Sequence, residues 1–161
     1  MLAETHKIVP VLSDLDLSGT DTSMPADSIN MKNQFRATFL INCQTLAGAT
    51  ATCTLWSGKT DGALTSALTF RYAWMTAAKA GTDADVLAAW SSAATVSLTH
   101  GTYDNYMLVI DIRAEEMDTA NEEEWLTLDF QDAATGATGN LSAVAILEPR
   151  YAGNCSETVL E

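Results

Sequence analysis

Apolar and polar residues alternate with period two along most of this chain. The clearest case runs from Tyr103 to Phe130. Tyr106, Leu108, Ile110 and Ile112 alternate with Met107, Val109 and Asp111; Leu126, Leu128 and Phe130 alternate with Trp125, Thr127 and Asp129. That period marks strands with one face in a core and one outside. Between the two runs, six carboxylates fall in ten residues, Glu115 to Glu124, with no Lys or Arg. The pattern predicts two strands joined as a hairpin by an acidic loop.

The same reading extends along the chain. The run at 8–12, Ile-Val-Pro-Val-Leu, is broken by Pro10, which removes a ladder donor and predicts an edge strand or an extended arm. Residues 13–34, with Gly19, Pro25 and repeated Ser, Asp and Asn, read as a long loop suited to lying across a neighbour. In Phe35–Cys43, Phe35, Ala37, Phe39, Ile41 and Cys43 mark the inward face. Ala51, Cys53 and Leu55 do so in the next strand; Phe70, Tyr72 and Trp74 follow in a third. Thr82 and Asp85 at capping-box spacing, with Val86, Leu87 and Trp90 on one helical face, predict a short helix near 83–92. Thr95–Thr99 and Leu141–Leu147 complete the strands. The expected fold is an all-β antiparallel sandwich, jelly-roll-like, with seven to eight strands and at most that one helix. Its expected organisation is an N-terminal arm and extended loop at 1–34, a sandwich domain at 35–148 and a tail at 149–161.

Composition narrows the functional classes. At 161 residues a single domain can bury roughly 70% of its unfolded surface without staples. The net charge is −13, and the eight basic residues are scattered with no two adjacent. Nucleic-acid binding, which needs a basic patch, is not expected. No apolar run approaches the ~18 residues of a membrane span, so no membrane partner is expected either. The start of the chain, MLAETHKIVP, lacks the pattern of a secretory signal, and three cysteines without a CxxC suit synthesis in a reducing compartment. Cys43 and Cys53 read as small buried hydrophobes, and spacing leaves their pairing open.

Candidate chemistry is thin. Ser57-Gly58-Lys59-Thr60 follows a strand, but Cys53 stands where a phosphate-binding loop needs its first glycine. The acids from Asp14 resemble the start of a calcium loop, yet its twelfth position is Pro25; Asp14, Asp16 and Asp21 remain a non-helical cation candidate. Adjacent acids on the 115–124 loop lack the cleft-spanning separation of glycosidase carboxylates. Two histidines, His6 and His100, and no GxSxG leave no activated nucleophile. The expectation is therefore no catalytic residue, no metal and no cofactor. Trp56 and Trp125 fall on the outward faces of their strands, as interface or sugar-stacking residues would.

Three stretches carry a resemblance of layout: SINMKNQFRATF at 28–39, YMLVIDIRAEEMD at 106–118 and AVAILEPRY at 143–151. With an Ala/Thr-rich, acidic, cysteine-poor composition, the chain resembles the decoration or cement proteins that coat capsids of tailed bacteriophages. The resemblance implies a non-enzymatic virion protein with a β-sandwich fold, made in the host bacterial cytoplasm and bound to the outer capsid surface. Its implied partner is the major capsid protein, with the chain a dimer or trimer there. Such a protein stabilises the shell because it binds only the assembled state. Expected contacts are Ile8, Val9, Val11, Leu12, Met24, Ile29, Trp56, Trp125 and Tyr151. The alternatives are a tail or head–tail junction protein, and a carbohydrate-binding sandwich module.

Overall fold

A computed structural model describes residues 5–18, 23–132, 136–151 and 158–160. The strands, in chain order, are β1 (Lys7–Asp16), β2 (Met24–Pro25), β3 (Ile29–Asn30), β4 (Gln34–Cys43), β5 (Ala47–Gly48), β6 (Ala51–Gly58), β7 (Ser66–Ala67), β8 (Phe70–Trp74), β9 (Ser91–Ala93), β10 (Thr95–Leu98), β11 (Met107–Arg113), β12 (Trp125–Gln131), β13 (Ala137–Thr138) and β14 (Asn140–Pro149). They form an antiparallel sandwich. The first sheet runs β1-β14-β4-β11-β8-β9, and the second runs β10-β6-β12-β2, with β3 also on β12 and β7 on β6. β13 and β5 make a small separate ribbon. The strands outnumber the expected seven or eight because several are two-residue pieces.

The core follows from the alternation. Ala37, Phe39, Ile41 and Cys43 of β4 are buried, as are Leu108, Ile110 and Ile112 of β11. Leu55, Leu126, Leu128 and Phe130 face them from the second sheet within the same apolar cluster. Phe35 departs from its expected place: it is exposed, and Gln34 is buried instead. The register slips there, where β14 reaches Pro149. Proline offers no ladder donor, and a bulge that skips Phe35 accommodates it.

The expected hairpin is not a hairpin. β11 is bonded to β4 on one side and β8 on the other, so both its edges are filled. β12 lies in the second sheet, between β6 and the short pieces β2 and β3. The acidic segment is an arch between sheets. It contains two single-turn 3-10 helices, Ala114–Glu116 and Thr119–Asn121, and is pinned inward by buried Ala114 and Met117.

Two further expectations are corrected. Residues 83–92 form turns, a bridge between Met75 and Leu87, and the start of β9, with no helix. Positive φ at Ala80 and Asp83 breaks the helical path before it starts. The supposed 1–34 arm is, in its described residues, part of the sandwich. β1 pairs with β14 along its length, Val9 and Val11 are buried, and the backbone N–H of Asp27 donates to the carbonyl of Val11 at 3.0 Å. β2 and β3 close the open side of β12, so the 24–31 stretch lies across its own core.

Candidate docking face

Register decides which side chains share an outer face. On the first sheet, Pro10 pairs with Val144, Val144 with Leu40, Leu40 with Val109 and Val109 with Ala73. Cross-strand partners point to the same side. One apolar row therefore crosses five strands on the side away from the core, about 19 Å at the usual strand spacing; Val109 and Ala73 are buried there, so its accessible part is Pro10, Val144 and Leu40. Beside it, Ile8 and Ile146 are paired and Met107 lies opposite Asn42. Leu40, Met107, Val144 and Ile146 are half-buried and Ile8 is exposed. They line a shallow hollow of about 360 Å³. The solvated face of an antiparallel sheet ordinarily reads polar. The outward positions of the second sheet are polar, including Thr52, Thr54, Thr127, Asp129 and Gln131, although Thr54, Thr127 and Asp129 are buried.

Charge on the apolar face also differs from the rest of the chain. Its paired outward positions hold three arginines, Arg36, Arg71 and Arg113, against three carboxylates, Asp16, Asp111 and Glu148. A chain of net charge −13 thus shows no acidic excess on this face.

The expected contact residues scatter. Val9, Val11, Met24 and Ile29 are core residues and are spent on the fold. Leu12 is half-buried against the core. Ile8 and Tyr151 are exposed, at 49% and 68%. Trp56 and Trp125 do point outward on the second sheet, since they pair with Thr127 and Gly58. Trp125 is nevertheless only 8% exposed. It sits in a hollow with Asn30, Gln34, Thr158 and Leu160, where Asn30 N–H donates to the carbonyl of Val159. Trp56 is half-buried. Of the named contacts, Ile8 alone falls on the apolar face. Leu40, Val109 and Val144 were missed because each looks like an ordinary off-phase apolar residue until the strands are put in register.

The candidate chemical groups are occupied by structural bonds. Asp129, fully buried, accepts from Ser23 Oγ at 2.8 Å, Met24 N–H at 3.0 Å and Gln131 Nε2 at 2.7 Å. Glu123, in the acidic arch, is buried and accepts from both Ser57 Oγ and Ser66 Oγ. Glu123 is the one carboxylate of the 115–124 arch that is buried. Ser57-Gly58 ends β6, and a Cβ at Gly58 would stand 2.5 Å from the carbonyl of Ala63. That glycine serves a close approach of the chain's own loop. Asp14 accepts from Asn140 Nδ2, and Asp16 accepts from the N–H of Ser18, which holds its carboxyl below the ordinary range. Asp21 and Cys155 lie outside the described residues. Among the described residues no three His, Cys, Asp or Glu side chains converge.

Cys43 and Cys53 are free and fully buried. Burial, with Asp104 nearby, pushes the Cys43 thiol up to about 12; burial raises Cys53 further, helped by Cys43 and Asp129. The thiolate is the reactive form, so native protein at pH 8 will resist iodoacetamide at both positions. Peptide mapping will show alkylation there only across the unfolding transition. Rapid native labelling of either would contradict the buried assignment. The linkage has a definite sign. Above pH ~9 the unfolded thiols lose protons that the folded ones keep, so stability falls as pH rises from about 9 toward 12.

No family model matches the chain, and no curated protein matches its sequence. Among solved structures, the SPBc2 prophage-derived protein YomS is similar at a TM-score of 0.43 and 8% identity, over 86% of this chain and 94% of that one. That likeness is too distant to bear on function.

Proposed function

We propose that the protein is a structural virion component that binds the outside of an assembled phage capsid and stabilises contacts between its major subunits. The reading joins the resemblance of layout to one structural observation, the accessible apolar patch of Ile8, Pro10, Leu40, Met107, Val144 and Ile146 on the first sheet. A contiguous apolar surface on a solvated sheet marks an interaction site. A flat, rigid face of this kind suits a folded protein lattice. The exposed carboxylates of the acidic arch, Glu115, Glu116 and Glu122, then face solvent, where negative charge favours solubility.

The test is virion content. Particles purified from the phage or induced prophage whose genome carries this sequence will contain the chain in stoichiometric amount. Leu40→Glu puts a charge in the centre of the row at a half-exposed position, so the fold survives. The variant will fold, by circular dichroism, and will be absent from particles. Incorporation of L40E at the wild-type level would refute docking through this face. Absence of the wild-type chain from particles would refute the capsid assignment.

A further inference from the structure

We infer that Arg71 and Trp90 are the anchor of this face, a stacked guanidinium and indole that bind a carboxylate on the partner; the inference rests on the shell-docking reading above. Arg71 stands on β8 in the row next to the apolar one, between Asp111 of β11 and Ser92 of β9. Asp111 is engaged elsewhere. It accepts from Thr38 Oγ1 at 3.2 Å and pairs with Arg36 Nε at 3.4 Å. Among the described residues the ion pairs are Lys32–Glu124, Arg36–Asp111 and Arg113–Glu115, and none uses Arg71. Its guanidinium carbon instead lies 5.1 Å from the Trp90 ring centroid.

The chain holds that indole in place. The 75–93 excursion closes on itself through the N–H of Thr76 to the carbonyl of Val86 and is tied back to β8 by the N–H of Ala88 to the carbonyl of Trp74. β9 then pairs Ser92 with Arg71, and Trp90 immediately precedes it. Trp90 remains 41% exposed although it is tethered on both sides. The sequence reading gave this tryptophan a helix face; in the structure it caps an arginine at the sheet edge.

A guanidinium has five donors and no acceptor, and an indole stacked on one face leaves its edge free. Stacking also fixes the side chain in advance, which lowers the entropy lost on binding. Exposed Trp and Arg beside an apolar centre are the residue types that dominate interface energies. The matching surface is an apolar ridge that fills the hollow of Ile8, Leu40, Met107, Val144 and Ile146, with a carboxylate beyond it toward β8. A second copy is a poorer occupant, because long-range repulsion between two chains of net charge −13 opposes their association.

Shells assembled in cells lacking this gene supply the probe. Purified wild type, Arg71→Gln, Trp90→Ala and Leu40→Glu are added separately, and bound protein is measured against concentration at low and high salt. R71Q is expected to bind roughly thirtyfold more weakly than wild type. The salt dependence of wild-type binding will largely disappear in R71Q, because the charge pair that salt screens is gone. W90A will weaken binding in the same direction with an unchanged melting curve. Equal binding of R71Q and wild type, with L40E still excluded, overturns the anchor and leaves the docking face standing. Binding of L40E like wild type overturns the face itself. A wild-type dimer in solution that R71Q splits overturns the shell as partner and makes a second copy the occupant.

Discussion

Removal of residues 1–16 will leave a chain that does not fold. β1 supplies Val9 and Val11 to the core and covers the whole outer edge of β14. Two fully buried valines are worth roughly 3–6 kcal/mol together. Deletion also strips the ladder from β14, whose inward residues Leu141, Ala143, Ala145 and Leu147 are all buried. The carbonyl of Val11 is the acceptor for Asp27, so the β2 side of the second sheet loosens too. Domains of this size have about 5–15 kcal/mol to lose. The expected result is loss of the cooperative thermal transition and aggregation through the bared β14 edge. Val11→Asp in the full chain separates core from edge: it will fold poorly although β1 is still present. A truncated protein with an intact cooperative melt would return the segment to the status of a detachable arm.

How much of this was legible beforehand depends on the range of the interaction. Period two placed Phe39, Ile41, Leu108, Ile110, Leu128 and Phe130 inside, because each strand's own alternation decides its buried side. Pairing is a longer-range matter. Nothing in the alternation of 106–112 and 126–130 says whether the two strands bond to each other. The eleven residues between β11 and β12 were a usable signal, since hairpin loops run to about two to five. Pro10 was read correctly as an edge feature, but an edge strand with buried valines was not separated from a free arm. The helix near 83–92 failed for a different reason: three apolar residues at helical spacing cannot outweigh turns at Ala80 and Asp83.

The docking face was hidden for a related reason. Leu40, Val109 and Val144 come from strands far apart in sequence, and each occupies the polar phase of its own strand. One such residue is ordinary on a protein surface. Only the register makes them neighbours. The arginines show the same effect: scattered in sequence, three of the four share one face.

Asp129→Ala will destabilise the protein by about 3 kcal/mol or more, read as a lower midpoint in urea with an unchanged slope. The sequence puts Asp129 on the outward phase of its strand, where an aspartate is cheap to replace. The structure gives it no exposure at all. Its three donors come from two directions, Ser23 and Met24 on the incoming edge and Gln131 on its own strand. Oδ1 takes both bonds from the edge, so this carboxylate fastens β2 beside β12. Truncation leaves the buried N–H of Met24 and the hydroxyl of Ser23 without their acceptor, and an unmet buried donor costs more than a hydrogen bond contributes. Asp129→Asn keeps one oxygen and most of the shape. If Oδ1 is the acceptor that matters, Asn will recover part of the loss, with its amide oxygen toward Ser23 and Met24. If the charge itself matters, Asn will be nearly as damaging as Ala, because bonds to a carboxylate are the stronger kind. A loss below about 0.5 kcal/mol for Ala, the range of ordinary surface changes, would mean that the edge is held by the core contacts of Met24 and Ile29 alone.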